Sequence, residues 1–420
     1  MGVVACVVLA CTAGGPTVGT AVPSVTDPKV LLLDRAALAD ARAGAASGRA
    51  DLAPAIAALR KEADALVDAA PVTVTDKTTP APSGDVHDYV SLSIYWWPDP
   101  AKPDGLPYLQ KDGQIDPESA DTRRYDAAKL NRMVSAVESL GLAAYVTADA
   151  RYADATARWL RMWFLDERTR MNPSMRYAQI IPGRPEPRGT GIIDSRQFMR
   201  AVDASLLIEG TAAWSAADAA GLRAWFGQLA DWLSTSPQGK MEGSSKNNHG
   251  TWYDAQLADF SLFAGRDAIV RDIFAKINSR VTTQIGADGS QPLELARTRS
   301  YHYSAFNLLA FSILGDLAPA AGVDVWHGTG PGLRAAIDFL LPYVNGARTW
   351  PYPDIDKLDY VAELAPILVR AAIAYPDAGY DAVLAKLVAN QGPISSLRVK
   401  VHAFASLGGT AVVPAVLRPS

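Results

Sequence analysis

Apolar residues recur at three- and four-residue steps along most of the chain from Tyr125 onwards, which is the spacing of one helix face. Gly, Pro or Asp residues separate these periodic segments, as in the turns 236–239 and 327–332. Strand-like alternation is scarce. The pattern predicts helices over 125–147, 150–165, 195–211, 215–234, 251–263, 267–284, 301–315, 332–342, 357–374, 378–389 and 396–406.

The first third of the chain is less regular. One helix face is marked by Leu52, Ile56, Leu59, Ala63 and Leu66. Residues 71–84 are rich in Pro, Thr and Ser and predict a loop, and residues 90–97 predict a short extended segment. The stretch 98–123 has little periodicity. Because a long irregular segment inside a compact protein is usually functional, we expect residues 95–124 to form a lid or cleft loop.

Many consecutive helices joined by short loops favour antiparallel helix pairs. Closing such pairs into a ring gives an all-α protein with an (α/α) toroid, an incomplete barrel of six to seven antiparallel pairs. The alternative, an open solenoid, lacks support because the chain has no repeating sequence period. We therefore predict a single toroid domain over residues 23–420.

The composition fits a globular protein with a sizeable core, since 49% of the 420 residues are apolar and 20% are charged. Lys and Arg total 40 against 44 Asp and Glu, a net charge of -4. No basic excess exists to neutralise a phosphate backbone, so the sequence predicts no nucleic-acid partner. Local positive charge in a cleft still allows a polyanionic substrate.

The N-terminus resembles an export signal over residues 1–22, with an apolar stretch followed by small residues. It contains Cys6 and Cys11, the only cysteines of the chain. Its removal would leave no disulfide, no thiol nucleophile and no cysteine metal site. The expected location is secreted or periplasmic. One alternative is a lipoprotein, because residues 8–11 loosely resemble a lipobox, and another is an apolar extension without a role in export.

The densest polar cluster begins at Lys246 and ends at Asp254. It brings together the amides, imidazole and aromatic rings of Asn247, Asn248, His249, Trp252 and Tyr253. Asn and His side chains donate hydrogen bonds to a carboxylate, and the start of a helix adds partial positive charge. The alternative interpretation is a helix N-cap with a buried, hydrogen-bonded histidine.

A second cluster lies between Glu294 and Tyr303, ahead of an apolar helix. Its candidate site residues are Arg297, Arg299, Tyr301, His302 and Tyr303. Arginine binds a carboxylate through two parallel hydrogen bonds, and a neighbouring cation lowers the pKa of a tyrosine. The alternative is a solvated arginine face followed by aromatic packing.

Aromatic residues mark the start of the irregular loop, as Tyr95, Trp96 and Trp97. Sugar rings stack on such faces, although aromatic anchors that pin the loop to the core are an equal alternative. The Gly- and Pro-rich stretch 171–196 has no phosphate-loop spacing and is typical of a segment that lines a cleft.

Several chemistries lack their motifs. The chain has no HExxH, GxSxG, EF-hand or CxxC pattern, and its five histidines are scattered. The sequence therefore predicts no metal and no cofactor. Glu294 and Asp254 remain a carboxylate pair that a glycosidase could use, although nothing in their spacing requires it.

Together these motifs resemble the alginate lyase superfamily over about residues 89–308. The resemblance rests on the aromatic motif 95–100, the motif 247–253, and Arg297 with Tyr303. The gap between Arg297 and Tyr303 is one residue shorter than in polysaccharide lyase family 5, and the pattern is closer to family 38, whose members act on alginate or glucuronan. The resemblance implies an α/α toroid, export, and β-elimination on an acidic uronate polysaccharide.

The resemblance also implies roles. Asn248, His249 and Arg297 hold the C5 carboxylate, and Tyr303, its pKa lowered by nearby arginine, is base and acid in a syn elimination. That stereochemistry fits β-1,4-glucuronan or polymannuronate. We expect a monomer without membrane insertion. The alternatives are a glycoside hydrolase on the same toroid and a non-catalytic polysaccharide-binding protein.

Overall fold

The structure is a computed structural model that describes residues 27–186, 188–328, 330–344, 346–355, 360–389, 392, 397–398 and 401. The predicted export signal, residues 1–22, lies outside the described residues, and so does most of the predicted helix 396–406.

Helices dominate the described part of the chain. They are α1 Arg35–Ser47, α2 Ala53–Val67, α3 Ala127–Thr147, α4 Ala150–Phe164, α5 Phe198–Ile208, α6 Ala216–Thr235, α7 Pro237–Gly243, α8 Asn248–Phe263, α9 Asp267–Phe274, α10 Ile277–Gln284, α11 Pro292–Leu295, α12 Ser300–Leu317, α13 Gly332–Val344, α14 Tyr360–Ala374 and α15 Tyr380–Val388. Short 3-10 helices span Val74–Asp76, Pro117–Ala120, Thr190–Gln197, Ala318–Ala321 and Pro376–Ala378.

Most of these helices match the sequence prediction to within a few residues, and the exceptions have structural causes. The predicted helix 267–284 is broken at residues 275–276 into α9 and α10. Neither residue is a helix breaker; α9 packs on α8 whereas α10 packs on α13, so tertiary contacts set the bend. The short helices α7 and α11 were not predicted, since each has fewer than eight residues and shows no full apolar period.

The helices form an inner and an outer layer. The inner helices α3, α5, α8, α12 and α14 contact one another in that order around a ring. Helix α12 is buried at every position except Asp316, as expected for a helix that is apolar all round and packed on all sides. The outer helices include α4, α6, α9, α13 and α15, which cover the ring from outside. The all-α fold and the α/α toroid are thus confirmed.

The segment Ser300–Ala321, which contains α12, is the one stretch of the described chain long and apolar enough to cross a membrane by length and composition alone. Its most apolar window is 78% buried inside the protein. It lies between α8 and α14 as the central helix of the core.

Both ends of the described chain close the ring. The carboxylate of Asp203 on α5 accepts hydrogen bonds from the backbone N–H groups of Leu31, Leu32 and Leu33 at 2.7–3.0 Å. From the other end, Arg370 on α14 donates to the Leu32 carbonyl at 3.3 Å. Arg398 donates to Glu62 on α2 at 2.6 Å. The inner helices α5 and α14 are therefore tied to the same N-terminal segment.

Four short strands support the irregular loop at one end of the ring. Strand β1, Val90–Leu92, pairs in parallel with β4, Tyr177–Ile180. Strand β2, Trp96–Trp97, pairs antiparallel with β3, Leu109–Gln110, in the register Trp96 opposite Gln110. A second small core holds this region together and consists of Ala81, Val90, Leu92, Tyr108, Tyr125 and Ile181. The loop 95–124 is therefore anchored at its base.

Candidate active site

Asn248 and His249 form the first turn of α8, and Asn247 caps that helix. The Asn247 side chain accepts a hydrogen bond from the His249 N–H at 3.3 Å. A helix N-terminus carries partial positive charge, which favours an anion in front of it. The capping role expected as the alternative is therefore present at Asn247. Of the two following residues, His249 has a partly exposed side chain, whereas Asn248 is only 1% exposed.

His249 is held by a buried carboxylate. Its Nδ1 lies 2.6 Å from Oε1 of Glu242, which is on α7. Oε1 of Glu242 accepts a hydrogen bond from Nδ1–H, so in the protonated ring Nε2–H is left to donate to a ligand carboxylate. The His249 side chain is 21% exposed, whereas that of Glu242 is only 3% exposed. This geometry orients the imidazole while leaving part of the ring open to a ligand.

Asn248 is held by a different carboxylate, that of Glu294 on α11. Oε1 of Glu294 accepts the backbone N–H of Asn248 at 2.6 Å, and Oε2 accepts its side-chain amide at 2.7 Å. Burial raises the pKa of Glu294, although these two hydrogen bonds and the charges of Arg297 and His249 act in the opposite direction. Glu294 is thus the common neighbour of Asn248, His249 and Arg297.

Arg297 makes an ion pair with the irregular loop. It binds Asp112 through Nε at 3.2 Å and Nη2 at 2.6 Å, in the two-pronged geometry typical of arginine and a carboxylate. Thr298 adds a hydroxyl hydrogen bond to the same carboxylate at 3.0 Å. Although burial acts in the other direction, these contacts lower the pKa of Asp112. The guanidinium that was expected to bind the substrate is therefore already paired with a carboxylate of the loop.

Tyr303 lies directly beside Arg297. The guanidinium carbon is 3.7 Å from the centre of the Tyr303 ring, and the Tyr303 hydroxyl donates to the Tyr95 hydroxyl at 2.8 Å. Burial raises the pKa of Tyr303 well above its ordinary value; Tyr95 adds to this effect, and Arg297 only partly opposes it. Arg297 acts on the pKa of Tyr303 in the expected direction, but burial outweighs the cation, so the expected net lowering of this pKa is corrected.

Trp96 and Trp97 are half-buried and carry cations of the protein on their faces. The guanidinium carbons of Arg184 and Arg188 lie 4.8 and 5.6 Å from the centre of the Trp96 ring. Lys111 lies 4.7 Å from the Trp97 ring, whose indole N–H donates to the Gln114 carbonyl. Both rings thus anchor the loop, and Trp96 does so beneath two positive charges.

Other residues expected in the site serve packing instead. Trp252 is fully buried against Phe306, and Tyr253 donates its hydroxyl to the Leu233 carbonyl at 2.9 Å. Tyr301 is buried and stacks on Tyr360. Since neither Trp252 nor Tyr301 has an exposed face, the expectation that they contact a sugar is corrected.

The same holds for two polar members of the second cluster. His302 is 2% exposed and its Nδ1 lies 3.0 Å from Glu363 on α14. Arg299 is 6% exposed and forms an isolated backbone bridge with Asp354. Consecutive helix positions point about 100° apart, so only Tyr303 of this run reaches Tyr95 and Arg297.

No motif in the sequence marks Glu242, Asp112, Arg184 or Arg188 as site residues. A lone acidic residue on a seven-residue helix and a charge in an irregular loop carry no spacing signal, so only the fold could find them.

The carboxylate pair considered for a glycosidase is engaged elsewhere: Glu294 binds Asn248, and Asp254 pairs with Arg280 at 2.5 Å. Among the described residues, no cluster of three or more His, Cys, Asp or Glu could hold a metal ion.

Comparisons with known proteins point in one direction. The family model for alginate lyase matches residues 73–350. The structure is similar to that of an alginate lyase from Bacteroides ovatus, with 37% identity, a TM-score of 0.84, and coverage of 90% of this chain and 100% of that one. It shares its fold with alginate lyase A1-III from Sphingomonas species A1, at 16% identity and a TM-score of 0.53, covering 83% of this chain and 91% of the other. A search of curated proteins finds no match.

Proposed function

The chain belongs to the alginate lyase family and is a polysaccharide lyase, and we propose that it cleaves a polymer of 4-linked β-D-uronates. The mannuronate segments of alginate are the first candidate, because the Bacteroides relative is an alginate lyase, and β-1,4-glucuronan is the second. The observation that carries the proposal is the contact of Tyr303 with Arg297 and Tyr95. Glu294 links this group to the other site residues, because it binds Asn248 and interacts with the charges of Arg297 and His249.

The first step is neutralisation of the C5 carboxylate. The C5 proton becomes acidic only when the adjacent carboxylate charge is offset. Arg297 supplies a cation, His249 an imidazole, and Asn248 an amide whose second hydrogen is not used by Glu294. These groups also stabilise the enolate that develops as the proton leaves.

Elimination then breaks two bonds on one face of the sugar. Tyr303 as phenolate takes the C5 proton, the C4–C5 double bond forms, and the C4–O4 bond breaks. The resulting phenol returns a proton to O4 of the leaving sugar, which leaves Tyr303 as phenolate again. In β-D-mannuronate and β-D-glucuronate the C5 proton and O4 lie on the same face, so one tyrosine suffices for both transfers.

Tyr303 must lose its proton before the first turnover. Its raised pKa opposes this loss at neutral pH, and the hydrogen bond to Tyr95 supplies a route for the proton. Because the phenolate fraction grows with pH, we expect kcat/KM to rise through the alkaline range. A profile that falls from pH 7 upwards in folded protein would contradict Tyr303 as base.

The substrate is tested by ultraviolet absorbance over time with polymannuronate, polyguluronate, β-1,4-glucuronan and pectate. Absorbance rises only when the conjugated C4–C5 double bond forms, so hydrolysis gives no signal. We expect a rise on polymannuronate or glucuronan. A rise confined to polyguluronate or pectate would require a separate acid on the opposite face and would overturn the single-tyrosine mechanism.

The base is tested by Tyr303→Phe, with Tyr301→Phe as the matched control on the same helix. We expect Tyr303→Phe to lower kcat by about 10²- to 10⁴-fold, since general base catalysis is lost. Tyr301→Phe should keep its activity, because the Tyr301 hydroxyl is buried away from the site and has no hydrogen-bond partner among the described residues. Near-normal activity of Tyr303→Phe would reject the assignment.

We further propose that the enzyme acts as an exported monomer, with residues 1–22 as the signal. Fractionation and intact-mass measurement test the export, and light scattering tests the monomer. A periplasmic or secreted protein lacking the segment is the expected form. Cytoplasmic protein that retains residues 1–22 would contradict the proposal.

A further inference from the structure

Two arginines share one aromatic ring outside the reacting centre. Arg184 and Arg188 both lie over Trp96, with guanidinium carbons 4.8 and 5.6 Å from the ring centre. Two cations held so close together repel each other, and the positive charge of Arg184 helps to lower the pKa of Arg188 after burial. In the part of the chain that the structure describes, neither guanidinium forms an ion pair with a carboxylate.

Arg188 also has an unused donor. Its Nη1 is buried and has no hydrogen-bond partner among the described residues, while Nη2 makes a long hydrogen bond of 3.3 Å to Thr190. A buried N–H of a charged group without an acceptor costs stability, and proteins rarely keep one without a reason. An incoming anion would supply the missing acceptor.

The position of this pair relates it to the active site. Gly189, next to Arg188, packs so closely on α7 that an added Cβ would lie 2.9 Å from the backbone nitrogen of Glu242. Glu242 is the partner of His249, and its charge acts on Arg188. At the other side, Trp96 directly follows Tyr95, the partner of Tyr303. The arginine pair therefore lies along the wall that joins the His249 and Tyr303 sides of the site.

We propose that Arg184, Arg188 and Trp96 form a second carboxylate subsite, which binds the uronate residue adjacent to the one that is cleaved. This inference rests on the proposed function, in that the substrate is a polyuronate with one carboxylate on every sugar. Arginine matches a carboxylate through parallel hydrogen bonds, and the Trp96 ring keeps both guanidinium planes in place. The subsite contributes to binding the chain and does not touch the reacting atoms.

The test compares Arg188→Gln, Arg184→Gln and the double variant with Arg334→Gln. Arg334 is a matched control, because its guanidinium also lies over a ring, that of Tyr375 at 5.8 Å, on the outer helix α13. We expect KM for the cleaved uronan to rise about tenfold or more in the double variant, with kcat nearly unchanged, since charged hydrogen bonds to substrate are lost. Arg188→Lys, which keeps the charge without the fork, should recover part of the loss.

Affinity electrophoresis through gels containing the uronan separates this inference from the proposed function, because it needs no turnover. The subsite is supported if the uronan retards the wild-type protein but not the double variant, and if a carboxyl-reduced polymer retards neither. This result supports the subsite even if no unsaturated product forms. Cleavage by the wild type with unchanged KM and retardation in the double variant would overturn the subsite alone. Arg184 is exposed, so its single variant keeps the test valid if Arg188→Gln fails to fold.

Discussion

Asn248 and His249 are adjacent in the chain, yet each is held by a carboxylate from a different helix. Glu294 on α11 binds Asn248, and Glu242 on α7 binds His249. Both carboxylates are almost fully buried, so neither competes with substrate for solvent-facing positions. The proposed chemistry of these two residues depends on the atoms that these contacts leave unused, which are Nε2 of His249 and the second amide hydrogen of Asn248.

Replacing Glu242 with glutamine tests the positioning of His249. Because glutamine is neutral and its amide can also donate, the imidazole loses the contact that favours Nδ1–H, and the wrong tautomer or charge state presents a lone pair at Nε2 where a donor to the substrate carboxylate is needed. We expect kcat to fall by about tenfold or more and the pH profile to change, with a smaller effect on KM. Glu209→Gln, in an exposed pair with Arg223, is the control. Equal kinetics of both variants would show that Glu242 does not position His249.

At the scale of elements, the hairpin of β2 and β3 decides which group is paired with Arg297. It carries Asp112 to Arg297, and Gly113 makes this approach possible. Gly113 has φ +77, and a Cβ there would lie 2.5 Å from the hydroxyl of Thr298. Asp112 thus ties the loop to Arg297, the guanidinium to which we assign the substrate carboxylate, and under that proposal the substrate displaces Asp112.

Asp112→Asn is expected to shift the rising limb of the pH–rate profile to lower pH. The Asp112 charge raises the pKa of Tyr303, whereas Arg297 lowers it. Removing the negative charge therefore lowers the pKa of Tyr303 and increases the phenolate fraction at a given pH. Asp104→Asn, in the same loop but without contact to Arg297, is the control. If the rising limb of the profile stays in place or moves to higher pH, the charge of Asp112 does not suppress ionisation of Tyr303.

At the scale of the whole molecule, the main structural feature is the closure of the helix ring by its N-terminal segment. Asp203 on the inner helix α5 receives three consecutive backbone N–H groups of the N-terminal segment, and Arg370 on α14 binds the same segment. The inner helices carry the site residues at their ends, so the ring must be closed for α8 and α12 to present Asn248 and Tyr303 to one cleft.

Asp203→Ala should destabilise the protein by about 3 kcal/mol or more, because three backbone donors lose a shared buried acceptor. Asp231→Ala, which breaks an exposed pair with Arg266, should cost about 1 kcal/mol or less. Denaturant unfolding measures both. Similar values for the two variants would show that Asp203 does not close the ring.

The raised pKa of Asp203 also makes the stability of the protein depend on pH. Burial raises its pKa from 3.8 to about 6, despite the backbone hydrogen bonds that oppose this. Between these values the folded protein binds more protons than the unfolded chain, so the free energy of unfolding should fall as pH rises from about 4 to 6. The Asp203→Ala variant should lose this part of the slope, and a variant that keeps it would assign the slope to another group.

The sequence by itself determined the helical architecture and provided the candidate residues for the proposed chemistry. Apolar periodicity is a local property, so it predicted α3, α4, α6 and α12 closely. The adjacency of Asn248 and His249, and the arginine and tyrosine of one short run, were readable for the same reason. Family resemblance then suggested how these residues are used.

Only the tertiary structure decided which of those residues face the cleft and what holds them. Tyr301 and Tyr303 are the same residue type two positions apart, so the sequence does not distinguish them. Their positions on α12 place Tyr301 against Tyr360 and Tyr303 against Arg297. The partners Glu242, Glu294 and Asp112 come from separate elements, and Asp112 lies 185 positions from Arg297 in the chain. The pKa of Tyr303 likewise depends on burial, which a sequence pattern does not contain because it arises only when distant elements close around the ring.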